Sequence, residues 1–287
     1  MKPAPFRYVR PQTREEGLEA LARYGEDAKV LAGGQSLVPL MNLRLARPKV
    51  LVDINRIPAL GILERRDGEL VLGALVRHRQ LEGDPRVWEA CPILSRAAAC
   101  IGYPAIRNRG TVGGSLAHAD PAAELGCVLL ATGAVVVLES SRGRREVRIE
   151  DLFVGPYTTC IRPDELLVEV RIPAWREGTR WGFAEFTRHE GGFALALAAC
   201  VVHLDGEGKV TSARVAVGGV SPLPVRLPEA EKSLRGAGLS KEGIAQAAAC
   251  ALSLEDYDDV HAPAWHRRQL GRWLLLQALQ QAAGGGS

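Results

Sequence analysis

Two glycine pairs are the residues best placed to do chemistry. One sits in Leu31-Ala32-Gly33-Gly34-Gln35-Ser36-Leu37, the other in Thr111-Val112-Gly113-Gly114-Ser115-Leu116. Adjacent glycines allow backbone to approach a ligand closely, and successive N–H groups in such a turn can converge on an anion. Ser36, Thr111 and Ser115 add hydroxyls that can donate to phosphate oxygens. Either stretch alone reads as an ordinary turn. Together, each with a hydroxyl residue close by and a helix starting nearby, they fit two halves of one diphosphate clamp. Neither has the G-x-G-x-x-G spacing of a Rossmann turn, and no Gly-Lys pair stands at the P-loop offset. No nucleophilic triad, paired-carboxylate site or metal motif accompanies them.

The elements that must position these stretches are legible. Thr13-Arg14-Glu15-Glu16 fits a capping box ahead of an amphipathic helix through Leu18, Leu21 and Ala22, which Gly25 stops. A strand over Ala28–Leu31 delivers the first glycine pair, Ser36 can cap the next helix, and Lys49–Ile54 is a further strand. The result is a β-α-β unit with the glycines at its strand-to-helix turn. Short strands flank Arg66-Asp67-Gly68, and a helix is expected over Val87–Cys100. Asp120-Pro121 is a strong helix start, aspartate as N-cap and proline at the first helical position, for a helix over Ala122–Leu130. A hairpin over 134–149 and a strand over Glu165–Ile172 follow. Beyond a break at Ala174–Gly178, three strands (Trp181–Thr187, Ala194–Leu204, Lys209–Val217) precede three helices (228–235, 240–252, 263–282), the pattern of an α+β layer.

Bulk properties exclude several classes. The 287 residues, 47% hydrophobic and 24% charged, describe an ordinary globular chain large enough for two domains. A net charge of +3 without a basic run gives no reason to expect nucleic acid. Six cysteines are widely spaced with no C-x-x-C pair, which fits buried free thiols in a reducing compartment rather than a metal site. No signal peptide and no apolar run long enough to span a membrane are seen, so a cytoplasmic protein is expected.

The stretch Ala32-Gly33-Gly34-Gln35-Ser36-Leu37-Val38-Pro39, followed by Thr111-Val112-Gly113-Gly114-Ser115-Leu116-Ala117-His118-Ala119-Asp120-Pro121, resembles the FAD-binding medium subunit of molybdenum hydroxylases. These are carbon monoxide dehydrogenase and its relatives in the xanthine dehydrogenase family. The resemblance continues through Arg188–Ala194 and Gly218–Arg226. It implies an α+β fold: a PCMH-type (vanillyl-alcohol-oxidase-like) FAD-binding domain of two α/β subdomains over 1–56 and 57–175, then a smaller C-terminal domain over 176–283 with a three-stranded sheet and helices. A flexible tail would occupy 284–287. Leu31 to Leu37 and Thr111 to Ser115 (Thr111, Val112, Gly113, Gly114, Ser115) would embrace the pyrophosphate of noncovalent FAD. Asp120 and Glu124 fall in a cofactor-lining stretch, Phe193 would approach the flavin ring from the second domain, and Leu167 matches an apolar contact.

Each residue keeps a plainer reading. Asp120 serves equally as an N-cap, Glu124 as a partner for the helix dipole, His118 as a loop histidine and Phe193 as core. Arg107 and Arg109 favour an anionic cofactor or merely line an exposed basic loop. Two stretches depart from the family pattern: Gly191-Gly192, where many relatives carry an aspartate, and Asp256–His261. The resemblance implies electron transfer from [2Fe-2S] clusters on a small partner subunit to an external acceptor. Molybdopterin would reside on a large partner subunit, within a heterohexamer. The alternatives are a self-sufficient FAD-dependent oxidase or dehydrogenase, and a non-redox binding protein that has lost its cofactor.

Overall fold

Three short strands near the N-terminus pair in parallel. The computed structural model describes residues 2–285, so Gly286 and Ser287 of the expected tail lie outside the described residues. β1 (Arg7–Val9), β2 (Ala28–Leu31) and β3 (Val50–Asp53) form a sheet of order β1-β3-β2, with α1 (Arg14–Tyr24) between β1 and β2 and α2 (Leu37–Asn42) between β2 and β3. Thr13 Oγ1 accepts from Glu16 N (3.1 Å) and Glu16 Oε2 accepts from Gln12 N (2.7 Å), which seals the start of α1. Gly25, at φ 50°, ends it. Ser36 does not cap α2, contrary to expectation: its own backbone is helical (φ −98°, ψ −48°) and its side chain makes no cap bond.

A second unit comprises β4 (Leu63–Arg66), β5 (Glu69–Gly73), α3 (His78–Gly83), α4 (Pro85–Ala90), α5 (Pro92–Cys100), α6 (Pro104–Arg107), α7 (Val112–His118), α8 (Glu124–Thr132), β6 (Val135–Ser140), β7 (Gly143–Arg148), β8 (Phe153–Gly155), β9 (Thr158–Thr159) and β10 (Leu166–Pro173). Its five-stranded sheet, β4-β5-β10-β6-β7, is antiparallel throughout, so this half is α+β rather than the expected α/β. The helix expected over Val87–Cys100 is two helices. Pro92 cannot continue α4, and Cys91 turns the chain at φ −161°, ψ 71°.

The last unit contains β11 (Thr179–Thr187), β12 (Ala194–Leu204), β13 (Val210–Gly218), β14 (Val225–Arg226), α9 (Pro228–Leu234), α10 (Lys241–Ala249) and α11 (Ala264–Ala283). Its antiparallel sheet has four strands, the two-residue β14 joining the three expected.

Every residue of α8 is buried, as a helix apolar all round between Glu124 and Thr132 must be. It packs on α5 and on β12 and β13, so one core runs through both halves, joining Leu72, Leu125 and Val136 to Phe183, Leu197 and Ala216. Glu150 adds a polar tie, with Arg226 at 3.1 Å and Arg214 in direct contact. α11 lies on β11 so closely that a methyl group at Gly182 would overlap the Ala278 carbonyl. Gly182→Ala is therefore expected to cost about 1–3 kcal/mol, read as an earlier denaturant midpoint by circular dichroism. An unchanged midpoint would mean that this contact yields freely.

Candidate glycine-loop cofactor site

The fold brings the two glycine stretches into contact. A side chain on Gly33 would overlap the carbonyl oxygen of Arg109 and come within 2.9 Å of the Gly110 Cα. A Cβ on Gly114 would lie 3.8 Å from the Ala32 methyl group. Gly113 lies so close to β5's exit that its Cβ would sit 2.6 Å from that of Ala74. Glycine is thus required at Gly33 and Gly113 by backbone packing, independently of any ligand. Gly34 is required by conformation, at φ 75°.

The stretches differ in what they leave free. In the second, Val112 N donates to Val76 O, Gly113 N to Ala74 O (2.9 Å) and Ser115 N to Thr111 O, while Gly114 N donates to the Thr111 side chain (3.0 Å). These four amides are committed, two to the Val76 and Ala74 carbonyls and two to the first turn of α7, which corrects the expectation that both stretches present N–H groups to a ligand. In the first, none of the N–H groups of Gly33, Gly34, Gln35, Ser36 or Leu37 donates within the described residues. Gly33 is buried and the other four half-buried. Such a row of shielded donors calls for an acceptor from outside the chain. The Ser36 and Ser115 hydroxyls are likewise uncommitted among the described residues.

Side chains that sequence reading passed over hold this arrangement. Asn55 Nδ2 donates to Ala32 O (2.8 Å), and its Oδ1 accepts from Arg77 Nη2 (2.8 Å). Arg77 Nη1 donates to the same Arg109 carbonyl that Gly33 approaches. Burial alone would raise the Asp53 carboxyl, but hydrogen bonds from Tyr8 and Asn55 hold it below its ordinary value. His78 Nε2 lies 3.1 Å from Thr111 O, and burial pushes the ring's pKa down to about 4, so it is neutral. The one available signal was that Asn55 and Arg77 closely follow the strands β3 and β5.

The other expected site residues fall in varied settings. Asp120 does not cap α8, which begins at Glu124; its Oδ1 accepts from Ala122 N (2.9 Å) in a local turn, while Pro121 O accepts from Gly219 N (3.0 Å). Tyr157 OH donates to Asp120 Oδ2 (3.5 Å), with the Tyr157 ring 5.3 Å from that of His118. Leu167 is buried in β10, next to Val168, whose carbonyl accepts from Ala74 N (3.1 Å). Phe193 is not core: it is 74% exposed, just ahead of β12. Arg107 is not a free cation either, since it is buried and paired with Glu82 at 2.8 Å. Gly191 (φ 69°) faces the Tyr103 ring, which its Cβ would meet at 2.6 Å, and Tyr103 OH donates to Glu190 O (2.7 Å). Arg267 was missed from sequence. It is buried, donates to Leu195 O and Gly219 O (both 2.7 Å) and pairs with Asp259 (2.6 Å), fixing the start of β12 beyond Phe193.

With this geometry in place, comparison with known proteins is decisive. Residues 4–175 match the family described as the FAD binding domain in molybdopterin dehydrogenase, and 181–282 match the CO dehydrogenase flavoprotein C-terminal domain. The chain belongs to this family of flavoprotein subunits. It is 45% identical over 283 residues (98% of this chain, 96% of the relative) to the 6-hydroxypseudooxynicotine dehydrogenase complex subunit alpha of Paenarthrobacter nicotinovorans. It superposes on a chain of carbon monoxide dehydrogenase from Hydrogenophaga pseudoflava with a TM-score of 0.96, at 36% identity and 100% coverage of both. Quinoline 2-oxidoreductase from Pseudomonas putida 86 gives a TM-score of 0.94 at 36% identity, covering 100% of this chain and 99% of that one. This flavoprotein is thus an oxidoreductase subunit whose cofactor is FAD, and the free donors of Gly33–Leu37 suit the diphosphate of that cofactor.

Glu124 is the carboxylate most displaced by its surroundings. Burial, then the neighbouring Glu185, raises its carboxyl from 4.5 to about 8, despite its place in the first turn of α8. Glu185, itself raised to about 7 by burial, keeps Oε2 without a partner among the described residues. Below pH 4.5 both folded and unfolded chains hold the Glu124 proton. Between there and about pH 8 only the unfolded chain releases it freely, so stability is lost as pH rises through that window. Glu124→Gln should flatten the fall in melting temperature between pH 5 and pH 8, as measured by calorimetry; an undiminished fall would remove Glu124 as its source.

Proposed function

We propose that this chain is the FAD-carrying electron-transfer subunit of a molybdenum hydroxylase. On this reading a substrate is oxidised at molybdopterin on a large partner subunit. [2Fe-2S] clusters on a small partner subunit then deliver electrons to this chain for an external acceptor. The assembly is a heterohexamer, and its compartment is the cytoplasm. When bound, FAD supplies the redox chemistry; the protein supplies binding, orientation and local electrostatics. The observation that carries the reading is the row of five uncommitted N–H groups from Gly33 to Leu37, set against the second glycine stretch.

We assign the diphosphate to Leu31–Leu37 and Thr111–Ser115, the first stretch donating through its backbone and both through Ser36 and Ser115. Val112 and Gly113 anchor the second stretch on Ala74 and Val76. Asp120 and Glu124 line the remainder of the cofactor site, Leu167 backs it from the core, and exposed Phe193 reaches it from the second half. The neutral state favoured for the Glu124 carboxyl keeps a second negative charge away from an anionic cofactor. Among the described residues no helix is long and apolar enough to cross a membrane.

The purified full chain supplied with FAD is expected to show flavin absorption in the visible. Gly33→Val, whose side chain would overlap the Arg109 carbonyl, is expected to lose it. Folded wild-type chain that retains no flavin would end the reading. The native protein should also copurify with two further chains bearing molybdenum and iron. A lone flavoprotein that turns over a small molecule without either metal would favour a self-sufficient oxidase instead.

A further inference from the structure

We propose that Arg77 is a positioning residue: it ties the two glycine stretches together and supplies the fixed positive charge of the diphosphate site they form. This rests on the assignment of FAD to that site.

The main chain at Arg77 forms an antiparallel bridge with Thr111, the first residue of the second stretch. Its N–H donates to Gln80 Oε1 (2.9 Å), which pins the residue at the start of α3. From there the guanidinium spans both stretches. Nη1 donates to the Arg109 carbonyl, the group against which Gly33 packs, and Nη2 donates to Asn55 Oδ1 (2.8 Å). Asn55 in turn holds the Ala32 carbonyl at 2.8 Å, at the entry to the first stretch. A planar fork with two separated donors can bridge in this way, whereas the single ammonium of lysine cannot match its geometry.

Charge gives Arg77 its second role. Among the described residues no carboxylate lies within ion-pair distance of Arg77. The acid nearest in sequence to Asn55, Asp53, is occupied by the Tyr8 hydroxyl and by Asn55 itself. Burial and then the neighbouring Arg109 disfavour the Arg77 charge, and the more distant Asp53 carboxylate offsets them only in part. A half-buried cation beside a second cation, bonded to the carbonyl against which Gly33 packs, would be favoured further by an anion held against the first stretch. Arg107 cannot serve, because Glu82 already neutralises it. Arg77 is thus both the brace that sets the spacing of the stretches and the charge that faces what they hold.

The test is titration of FAD, and separately of ADP as a probe carrying the diphosphate without the flavin, into flavin-free full chain at low and raised ionic strength. Arg77→Gln is expected to weaken both ligands by about tenfold or more and to flatten the salt dependence of binding. Arg77→Lys should restore the salt dependence while remaining weaker than wild type. Folded Arg77→Gln that binds both ligands as wild type does, or more weakly with an unaltered salt dependence, overturns the proposal. If Arg77→Gln fails to fold, Arg77→Lys decides, and wild-type affinity in that variant overturns the bracing role. Wild-type chain that binds neither ligand would remove the FAD assignment and this inference with it. Wild-type binding with an indifferent Arg77→Gln removes this inference alone.

Discussion

The contact on which the site depends is backbone against backbone, the Cα of Gly33 against the carbonyl of Arg109. No side chain fits between them, so two turns far apart in the chain are held at a spacing set by the peptide group itself. Everything nearby serves that approach. β2 and β3 bring Gly33 to the edge of the parallel sheet, and β5 leads through Ala74 to the floor on which Gly113 rests. Arg77 and Asn55 close the remaining gap with hydrogen bonds. The second stretch commits its amides to its own helix and to the carbonyls of Ala74 and Val76, and is therefore rigid. The first keeps its amides free and is therefore the receptive one.

A second constraint is the burial of α8. A helix with no polar face needs partners all round, and α5 together with β12 and β13 provides them. The two halves of the molecule consequently share a core instead of meeting at a wet interface. This also accounts for Glu124, the one carboxylate at the start of that helix. The helix N-terminus favours its charge, but the shared core removes water, and desolvation outweighs the dipole. On the far side Arg267 draws three carbonyl groups and Asp259 around one guanidinium, so the loop carrying exposed Phe193 emerges from a fixed base.

Much of this was legible in the chain and some was misleading. The capping pattern at Thr13–Glu16, the β-α-β unit around Gly33 and the three long strands of the last unit follow from local periodicity, and they stand where they were expected. Asp120-Pro121 has the local chemistry of a helix start, yet a distant partner, Gly219, claims the Pro121 carbonyl and delays α8 to Glu124. Arg107 lies beside the second stretch in sequence, yet a carboxylate on α3 neutralises it. Ser36 has the right side chain for a cap and the wrong backbone conformation. In each case a long-range contact or a local dihedral overrode a sound local preference.

The sequence by itself determined that two glycine stretches with neighbouring hydroxyls exist and that each begins a helix. It also carried a family resemblance along nearly the whole chain. These are properties of residue type and short spacing, which local sterics and hydrogen bonding dictate. Only the tertiary structure decided that the stretches touch, which one keeps its donors free, and that Arg77 and Asn55 brace them. Those outcomes depend on which carbonyl each N–H finds across the fold, and residues distant in the chain become hydrogen-bond partners only once the sheets have paired.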